Sequence, residues 1–528
     1  MHSPDTHGTE PERPNCIQHG LPTALLQPEH IMLESEFKAL ASQGYNRIPM
    51  VAECLADLDT PLSIYRKLAD CPDSFLLESV VGGERFGRYS FIGLPAKRRI
   101  EVRIGDSGPE TIVKEAGKTV ETLEGNPLDA IEAYLGRIRV APRPGLPRFS
   151  GGLVGYLGYD TIRLIEKKLA KPKKDDLGVP DILLLQTEEI AVVDNISGRI
   201  YLIIHADPNE PEAFQKGMNR LRELRSRLHR PAENLYAGPS ARQAERRDFH
   251  KADYLKAVEK AKDYIAHGEV MQVQIGQRIS RRFADAPISL YRALRSLNPS
   301  PYMYYYDFGD FHVVGASPEI LVRGEVGKDG EKHVCIRPIA GSRRRGLTAE
   351  QDAALERDLA TDPKERAEHL MLIDLARNDI GRVAEIGSVT VPDQFVIEKY
   401  SHIQHLVSEV DGKLRSGLNN FDVFKATFPA GTLTGAPKIR AMEIIDELEP
   451  VKRGIYGGAV GYFSFAGDMD MAIAIRTAVI KDKILYAQAA AGIVADSVPE
   501  NEHRETETKA RAVLRAAEMV EDGLESAI

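Results

Sequence analysis

The sequence predicts an α+β fold, and two patterns support that prediction. Short runs with strand character and segments with helical periodicity follow one another from about residue 36 onward. Residues 182–194 and 200–205 are both strand-like, and the connection NISGR between them contains Gly198, which is typical of a β-hairpin. We therefore expect β-rich structure with flanking helices.

The first half of the chain supplies most of the short strand signals. Further strands are predicted at residues 74–81, 88–92, 99–104 and 153–156, and helices at 127–137 and 212–227. In the second half, Tyr254, Val258, Ala261 and Ile265 recur at helical spacing, and Gly268 ends that helix. Residues 270–279 then alternate like a strand.

Length and composition divide the chain into parts. A chain of 528 residues exceeds one compact core, and at roughly 150 residues per domain it suggests two or three units. Residues 1–30 lack hydrophobic periodicity and predict a disordered extension. Residues 230–247 are polar and aperiodic and predict a linker between a β-rich domain at 31–229 and a larger α+β domain at 248–528.

The charge balance excludes some classes of function. The net charge is −9, and no dense run of Lys and Arg is interleaved with aromatic residues, so we expect no nucleic-acid partner. Hydrophobic content of 43% and charged content of 28% are ordinary for a soluble globular protein. An anionic substrate would have to be captured by a local cluster of cations or by a metal ion.

The sequence also indicates a cytoplasmic location. Its cysteines form no CxxC pair and no disulfide framework, as expected in a reducing compartment; they are Cys16, Cys54, Cys71 and Cys335. No apolar run reaches the roughly 20 residues that span a bilayer, so no membrane partner is expected. The first 30 residues have the pattern of neither a signal peptide nor a transit peptide.

The segment from 362 to 382 predicts a helix with a well-defined start. Asp362 can cap it, Pro363 suits its first position, and Glu365 can complete a capping box with Asp362. The apolar face is expected to consist of Leu370, Ile373 and Leu375.

Two acidic helix starts are candidates for a metal site. Glu365 and Glu368 project from one face, with His369 beside them, and Glu502, Glu505 and Lys509 share a face in a second helix that begins at Pro499. Such glutamates are also common as caps and as solvated charges near helix N-termini. Together, however, the two pairs could supply four carboxylates to one hydrated Mg²⁺.

Four further features are ambiguous when taken singly. Residues 427–438, TFPAGTLTGAPK, form a glycine-rich loop before a helix and suit either an anion, near Thr432, or an ordinary N-cap at Thr434. His405 lies in a predicted strand, where histidine is usually structural, and Glu319 is equally unremarkable alone. Arg476 lies in an apolar predicted strand, where a guanidinium is costly without a carboxylate partner.

The order of several blocks is far more specific than any one of them. The blocks are GASPE (315–319), RPIAGSRRRG (337–346), ERAEHLMLIDLARNDIGRV (365–383), HLVSEVDG (405–412), FPAGTLTGAPK (428–438), YGGAVGY (456–462), AIRTA (474–478) and ETETKARAVLRA (505–516). In this order they resemble the chorismate-utilising enzymes, and in particular the anthranilate-forming branch. The resemblance implies large antiparallel sheets packed as a β-sandwich core with helices outside, and 248–528 as the catalytic domain.

The resemblance also implies a reaction and roles for residues. Chorismate and ammonia would give anthranilate and pyruvate, with Mg²⁺ held by Glu365, Glu368, Glu502 and Glu505 directly or through water. Glu319 would be the general acid, His405 would remove the C2 proton, and Thr432 would assist near the substrate. The implied substrate-binding residues are Gly341, Ser342, Thr432, Tyr456, Arg476, Gly492 and Lys509.

Two positions distinguish branches of that family. Aminodeoxychorismate synthases of the nearest kind carry a nucleophilic lysine where this chain has Ala340, and isochorismate synthases carry a water-activating lysine where it has Gln272. Both residues favour the anthranilate-forming branch, although Ser342 departs from its usual threonine. An aminodeoxychorismate synthase component I and a catalytically silent, tryptophan-binding regulatory subunit remain the alternatives.

The N-terminal half resembles the feedback element of the tryptophan-sensitive members. The motif LLES (76–79) and its complement NPSPYM (298–303) would enclose L-tryptophan as an inhibitor. The implied allosteric residues are Glu78, Ser79, Arg88, Pro301, Tyr302, Met303, Val460 and Tyr462.

No cysteine lies in a nucleophile-elbow context, and a glutaminase needs a Cys–His–Glu constellation for its covalent chemistry, so we expect that this chain does not hydrolyse glutamine. The resemblance therefore implies a separate glutamine amidotransferase subunit that supplies ammonia, commonly within a heterotetramer.

Overall fold

A computed structural model gives the fold of residues 32–80, 87–169, 171, 173–232, 239–327, 329–399 and 403–524. The predicted extension at 1–30 lies outside these described residues. Within them the chain forms eleven α-helices, namely α1 (Glu34–Ser42), α2 (Pro61–Leu68), α3 (Pro127–Gly136), α4 (Ala213–Leu228), α5 (Lys251–Ala266), α6 (Pro287–Leu297), α7 (Ala349–Thr361), α8 (Pro363–Gly381), α9 (Asn420–Thr427), α10 (Lys438–Leu448) and α11 (Pro499–Glu521).

The strands form two sheets. In chain order they are β1 (Ile48–Leu55), β2 (Ser74–Glu78), β3 (Tyr89–Gly93), β4 (Arg98–Gly105), β5 (Gly108–Glu115), β6 (Lys118–Leu123), β7 (Gly152–Leu157), β8 (Ile182–Thr187), β9 (Glu189–Asp194), β10 (Arg199–Ala206), β11 (Glu245–Arg247), β12 (Gln272–Arg282), β13 (Tyr302–Asp307), β14 (Phe311–Ser317), β15 (Ile320–Val326), β16 (Lys332–Ile336), β17 (Ile339–Arg344), β18 (Thr390–Lys399), β19 (Ile403–Lys413), β20 (Gly435–Ala436), β21 (Ala459–Ser464), β22 (Met469–Ile473), β23 (Thr477–Lys481) and β24 (Ile484–Ile493).

Each sheet has twelve strands, and neighbouring strands pair in an antiparallel manner. Sheet I runs in the order β1-β10-β9-β3-β2-β13-β14-β23-β24-β12-β11, with β20 paired to β12. Sheet II runs in the order β17-β19-β16-β15-β22-β21-β7-β8-β4-β5-β6, with β18 paired to β19.

The two sheets pack face to face. One buried apolar cluster contains Phe75 and Tyr306 from sheet I together with Tyr156 and Val460 from sheet II. The Tyr306 hydroxyl also donates to the Gly155 carbonyl of sheet II at 3.3 Å. The predicted α+β fold with a sandwich core is therefore confirmed.

Helices cover the outer faces of the sandwich. A second apolar cluster packs α1, α2, α4, α6 and α11 on sheet I, and a third packs α3, α8 and α9 on sheet II. A smaller cluster joins α5 and α10 to β12 and β24. None of the helices in the described ranges is both long and apolar enough to cross a membrane.

Both sheets contain strands from before and after residues 230–247. In sheet I, Glu78 of β2 lies opposite Met303 of β13, and in sheet II, Leu157 of β7 lies opposite Ala459 of β21. Part of the predicted linker is itself a strand, β11, because Arg247 is held by Glu507 at 2.7 Å and the strand pairs with β12. The domain boundaries stay a prediction.

The predicted strand at 182–194 is wrong in one respect. The chain forms two strands there, with β8 in sheet II and β9 in sheet I. They separate at Glu188, whose carboxylate accepts a hydrogen bond from Arg47 at 2.6 Å. Because both strands are buried, their apolar residues read as one run although the chain changes sheets. The predicted hairpin between β9 and β10 is confirmed.

Candidate active site

Helix α8 begins as its sequence predicts. Asp362 Oδ1 accepts hydrogen bonds from the backbone N–H groups of Lys364 and Glu365, at 2.9 and 3.2 Å. In the described part of the chain, Glu365 does not return the bond that a capping box requires. Its carboxylate instead accepts from Arg343 Nη1 at 3.0 Å, and this contact ties α8 to β17.

The buried face of α8 differs from the predicted one. Leu370 is 48% exposed, whereas His369 is fully buried and contacts Ser408 of β19, with Nε2 and Oγ 2.7 Å apart. The buried stripe therefore includes His369 and Ile373. The prediction holds for Ile373 and fails for Leu370, and it missed His369 because no local pattern shows the Ser408 partner that allows a polar side chain to be buried.

The four predicted metal carboxylates are close enough for their charges to interact. Burial raises the pKa of Glu368, with Glu365 and then Glu505 adding to the effect, while Lys509 opposes it. Burial and the neighbouring Glu505 also raise the pKa of Glu502. These mutual effects mean that the acidic turns of α8 and α11 face each other.

The carboxylates do not form a complete set of direct metal ligands in the described residues. No three acidic, His or Cys side chains in the described ranges lie close enough to hold a metal ion together. Glu365 is paired with Arg343, and Glu505 is paired with Lys509 at 2.7 Å. Mg²⁺ usually binds one or two carboxylates and retains several waters, so such an ion would need only one or two of these glutamates as direct ligands.

Glu319 lies between β14 and β15, beside the glycine-rich loop. The Thr432 hydroxyl donates to Glu319 Oε1 at 3.2 Å. Burial raises the pKa of Glu319 to about 7, and the Thr432 bond and the Lys509 charge act in the opposite direction. A carboxyl group with this pKa is partly protonated at neutral pH and is suited to general acid catalysis.

The glycine-rich loop packs against α8 before entering α10. Residues Gly431–Leu433 form a 3₁₀ turn, and a Cβ on Gly431 would lie only 1.8 Å from Leu375 Cδ2. The Thr434 hydroxyl donates to the Ala430 carbonyl at 3.1 Å, and Pro437 occupies the N-cap position of α10. An N-cap at Thr434 is therefore wrong.

His405 lies on β19 as predicted, and its ring faces the turn at Gly341. Nδ1 is 3.2 Å from the Gly341 carbonyl oxygen, so Nδ1 carries the proton when the ring is neutral. Burial lowers the pKa of His405, and the Arg476 charge lowers it further. Gly341 has φ +62°, and a Cβ there would lie 2.8 Å from Glu365 Oε2, so glycine is required. Ser342 pairs with His405 across the sheet.

Arg476 does not lie inside a strand, contrary to prediction. It has φ 51° and lies at a bend between β22 and β23. The described residues offer Arg476 no carboxylate partner, although burial lowers the pKa of its guanidinium and Tyr456 opposes that shift. A desolvated cation without an anion is costly, so Arg476 is available to bind the carboxylate of a ligand.

Strand β24 completes the wall beside Lys509 and Tyr456. The Ala490 carbonyl accepts a hydrogen bond from Lys509 Nζ at 2.9 Å, and the Ala490 backbone also bonds Tyr456. Two positions further, a Cβ on Gly492 would lie 2.6 Å from Gln272 Nε2. Gly492 therefore leaves room for the Gln272 amide.

The predicted site residues thus form one connected set. Contacts or charge effects link Glu319 through Thr432 and Lys509 to the acidic turns, and from there through Gly341 to His405 and Arg476. Sequence reasoning missed Arg343, which holds Glu365. Its only sequence signal was its place in the arginine run at 343–345.

Two of the residues predicted to bind tryptophan, Glu78 and Met303, are neighbours across sheet I. Glu78 is buried opposite Met303, and its carboxylate accepts from Arg295 Nε at 3.1 Å and from the Tyr291 hydroxyl. The buried Ser79 hydroxyl has no hydrogen-bond partner among the described residues.

The other predicted tryptophan-site residues have different partners. Pro301 precedes β13, and the Tyr302 hydroxyl donates to Asp470 at 3.0 Å. Val460 and Tyr462 lie on β21, where Tyr462 stacks on Phe149. Arg88 is bound to Asp194 at 3.0 Å.

Comparison with known proteins defines the class. The family model described as chorismate binding enzyme matches residues 88–515. The menaquinone-specific isochorismate synthase of Escherichia coli has the same fold, with a TM-score of 0.66, 19% identity, and coverage of 92% of this chain and 100% of that one. The chain belongs to the chorismate-binding enzyme family.

Its similar relatives within that family are anthranilate synthase component 1 proteins. The protein of Neisseria meningitidis serogroup A is 54% identical, and the match spans 93% of this chain and 99% of that protein. The protein of Pseudomonas aeruginosa is also 54% identical, and the match spans 94% of this chain and 100% of that protein. The crystal structure of anthranilate synthase component I from Streptococcus pneumoniae has 37% sequence identity and a TM-score of 0.71. The match spans 87% of this chain and 98% of the chain in that structure.

Proposed function

We propose that this chain is the Mg²⁺-dependent large subunit of an anthranilate synthase, a lyase that converts chorismate and ammonia to anthranilate and pyruvate in the first step of tryptophan biosynthesis. The observation that carries the proposal is the Glu319 carboxyl group. It is held by Thr432, its pKa is about 7, and it lies in the same connected set as Arg476 and the acidic turns of α8 and α11.

In this proposal, the two carboxylates of the substrate are bound by two positive charges, one on Arg476 and one on Mg²⁺. Arg476, with Tyr456 beside it, binds the enolpyruvyl carboxylate of chorismate. Glu365, Glu368, Glu502 and Glu505 hold Mg²⁺ directly or through water. When bound, the ion supplies positive charge opposite the ring carboxylate of the substrate.

Two proton transfers then follow. Glu319 donates its proton to the C4 hydroxyl, which leaves as water while ammonia adds at C2. His405, which is kept neutral by burial and by Arg476, removes the C2 proton as the enolpyruvyl group leaves and pyruvate forms. Each positioned proton transfer contributes on the order of 10²–10⁴ in rate.

The ammonia comes from glutamine through a separate amidotransferase subunit in this proposal. None of the described cysteines, Cys54, Cys71 and Cys335, has a lowered pKa; burial raises it in each case. A thiol of this kind is a poor nucleophile at neutral pH. The name "component 1" of the relatives supports a partner, and a heterotetramer is the expected assembly.

A product assay tests the proposal. We expect the purified chain to form fluorescent anthranilate and an equal amount of pyruvate from chorismate, Mg²⁺ and ammonium, and to lose this activity in EDTA. Glutamine should replace ammonium only after the partner subunit is added. Accumulation of aminodeoxychorismate in place of anthranilate would instead identify an aminodeoxychorismate synthase, which Ala340 argues against.

We further propose that L-tryptophan inhibits the chain at the site formed by Glu78, Ser79 and Met303, in a cytoplasmic enzyme. A Ser79→Phe variant is expected to lose about tenfold in tryptophan sensitivity, because the larger ring would crowd the proposed site, and overpacking costs about 1–3 kcal/mol. Inhibition curves for both proteins at equal chorismate concentration measure this, with turnover in the absence of tryptophan as the control. Unchanged sensitivity would contradict this location.

A further inference from the structure

A buried ion pair behind the candidate site has no part in the proposed chemistry. Arg453 donates from Nε and Nη2 to the two carboxylate oxygens of Glu449, at 2.9 and 2.7 Å. The two side chains are only 1% and 3% exposed. Burying such a pair seldom adds net stability, because the desolvation of both charges offsets their attraction.

The pair connects two segments that border the site. Arg453 Nη1 donates to the Leu433 carbonyl at 2.7 Å, and Nη2 donates to the Gln274 carbonyl at 3.2 Å. Glu449 Oε1 accepts from the backbone N–H of Gly276 at 2.7 Å. The glycine-rich loop and strand β12 are therefore fixed to the same guanidinium–carboxylate unit.

This guanidinium–carboxylate unit holds the residue next to Thr432, and Thr432 is the hydrogen-bond donor to the proposed general acid, Glu319. Leu433 directly follows Thr432, whose hydroxyl donates to Glu319 at 3.2 Å. The guanidinium also lies over two aromatic rings, 4.6 Å from the ring centre of Tyr159 and 5.8 Å from that of Tyr456. A shift of Arg453 would therefore remove the contacts that hold the backbone next to Thr432 and the ring of Tyr456 in position.

The geometry requires arginine rather than any cation. The contacts use donors on all three guanidinium nitrogens, directed at the Glu449 carboxylate and at two carbonyl oxygens. A lysine ammonium is a compact charge with three donors at one point, and it cannot reproduce this planar arrangement.

We propose that Arg453, oriented by Glu449, is a positioning residue that fixes the loop at 431–434 so that the Thr432 hydroxyl stays on Glu319. The proposal rests on the function proposed above, because it assigns Glu319 the role of general acid. Its structural part, the restraint of the loop, holds independently of the reaction.

The test is the pH dependence of kcat/KM in an Arg453→Lys variant, because this ratio reports the ionisation of the free enzyme. The Thr432 hydrogen bond favours the ionised form of Glu319, so its loss raises the pKa of Glu319 and moves the alkaline limb of activity to higher pH. Lys509 is the charged group that also acts on Glu319. We expect kcat to fall about 10²-fold at neutral pH, the lower end of the loss of one preorganised donor, with the limb displaced in the same direction as in Thr432→Val.

The Arg453→Lys/Thr432→Val double variant separates positioning from general destabilisation. If Arg453 acts through Thr432, the double variant should lose little more kcat than Thr432→Val alone, since effects of coupled residues are not additive. Multiplied losses and an unmoved alkaline limb would overturn the proposal.

Arg281→Lys is the matched control. Arg281 lies on β12 in an equally buried pair with Glu521, both side chains being 2% exposed, and the pair lies at the end of α11 that is remote from Glu502 and Glu505. We expect this variant to lose stability while its pH limb stays in place.

A second measurement does not depend on turnover. Hydrogen exchange of the backbone amides in residues 428–436 should be faster in Arg453→Lys than in the wild type, and unchanged in Arg281→Lys. If Arg453→Lys does not fold, Glu449→Gln keeps a partner of similar shape and is measured in its place. Absence of anthranilate in the wild type would refute the proposed function, whereas unchanged exchange in 428–436 would refute the restraint of the loop.

Discussion

Replacing Glu319 with glutamine is expected to lower kcat for anthranilate formation by about 10²–10⁴-fold, the usual contribution of a positioned general acid. Glutamine keeps the shape of the side chain and an oxygen that can accept from Thr432 Oγ1, which lies 3.2 Å from Glu319 Oε1 in the native chain. It has no proton to give to the departing C4 hydroxyl. Steady-state kinetics with saturating chorismate and ammonium measure the loss, and KM should change little.

The pH profile identifies the reason for that loss. Glu319 must be protonated to act, and its pKa in the ligand-free chain is about 7, so wild-type kcat/KM, which reports the free enzyme, should decline as the pH rises through about 7. The variant should lack this limb. Glu325→Gln is the matched control, because Glu325 lies on the adjacent strand β15 and is paired with Arg148. A variant that keeps wild-type kcat would remove Glu319 from the mechanism.

Replacing Arg476 with glutamine is expected to weaken chorismate binding severely. A desolvated charge pair that loses one partner costs about 2–5 kcal/mol, which corresponds to roughly 30- to several-thousand-fold in KM. The variant should fold at least as stably as the wild type, because the described residues give Arg476 no carboxylate partner while burial disfavours its charge. Kinetics and thermal unfolding of the ligand-free chain measure the two effects.

A paired arginine provides the contrast. Arg278 is buried and bound to Asp176 at 2.9 Å, so Arg278→Gln should reduce the free energy of unfolding by removing one side of an ion pair. It should leave chorismate binding much closer to the wild-type value. If Arg476→Gln bound chorismate normally, the proposed carboxylate contact would be wrong.

Local features of the site were predictable because their determinants are close in sequence. Asp362 caps α8, and the spacing of Glu365 with Glu368 places both carboxylates on the same turns. The strand that carries His405 was also visible from alternation. The opposition of α8 and α11, in contrast, depends on residues more than a hundred positions apart. The spacing of the glutamates suggested that the two acidic turns could share a metal ion, but no local pattern distinguished this from ordinary caps and solvated charges, and the resemblance to a family decided between them.

The failures have physical causes that no local pattern reveals. Arg476 reads as part of a strand, yet a left-handed φ bends the chain at that residue. His369 is polar, but the hydroxyl of Ser408 satisfies it inside the protein. Arg343 and Arg453 are functional candidates only through partners that tertiary structure supplies.

The sharing of both sheets between the two halves of the chain affects how the protein reaches its fold during synthesis. Strand β7 cannot complete its pairing until β21 has been synthesised, since Leu157 pairs with Ala459. At roughly 5–20 residues per second, the partner strand leaves the ribosome on the order of 15–60 s later. Until then one side of an apolar strand has open backbone N–H and C=O groups, which is a recognised route to aggregation. A nascent chain of this kind is expected to depend on chaperone protection more than a protein whose sheets close within one half.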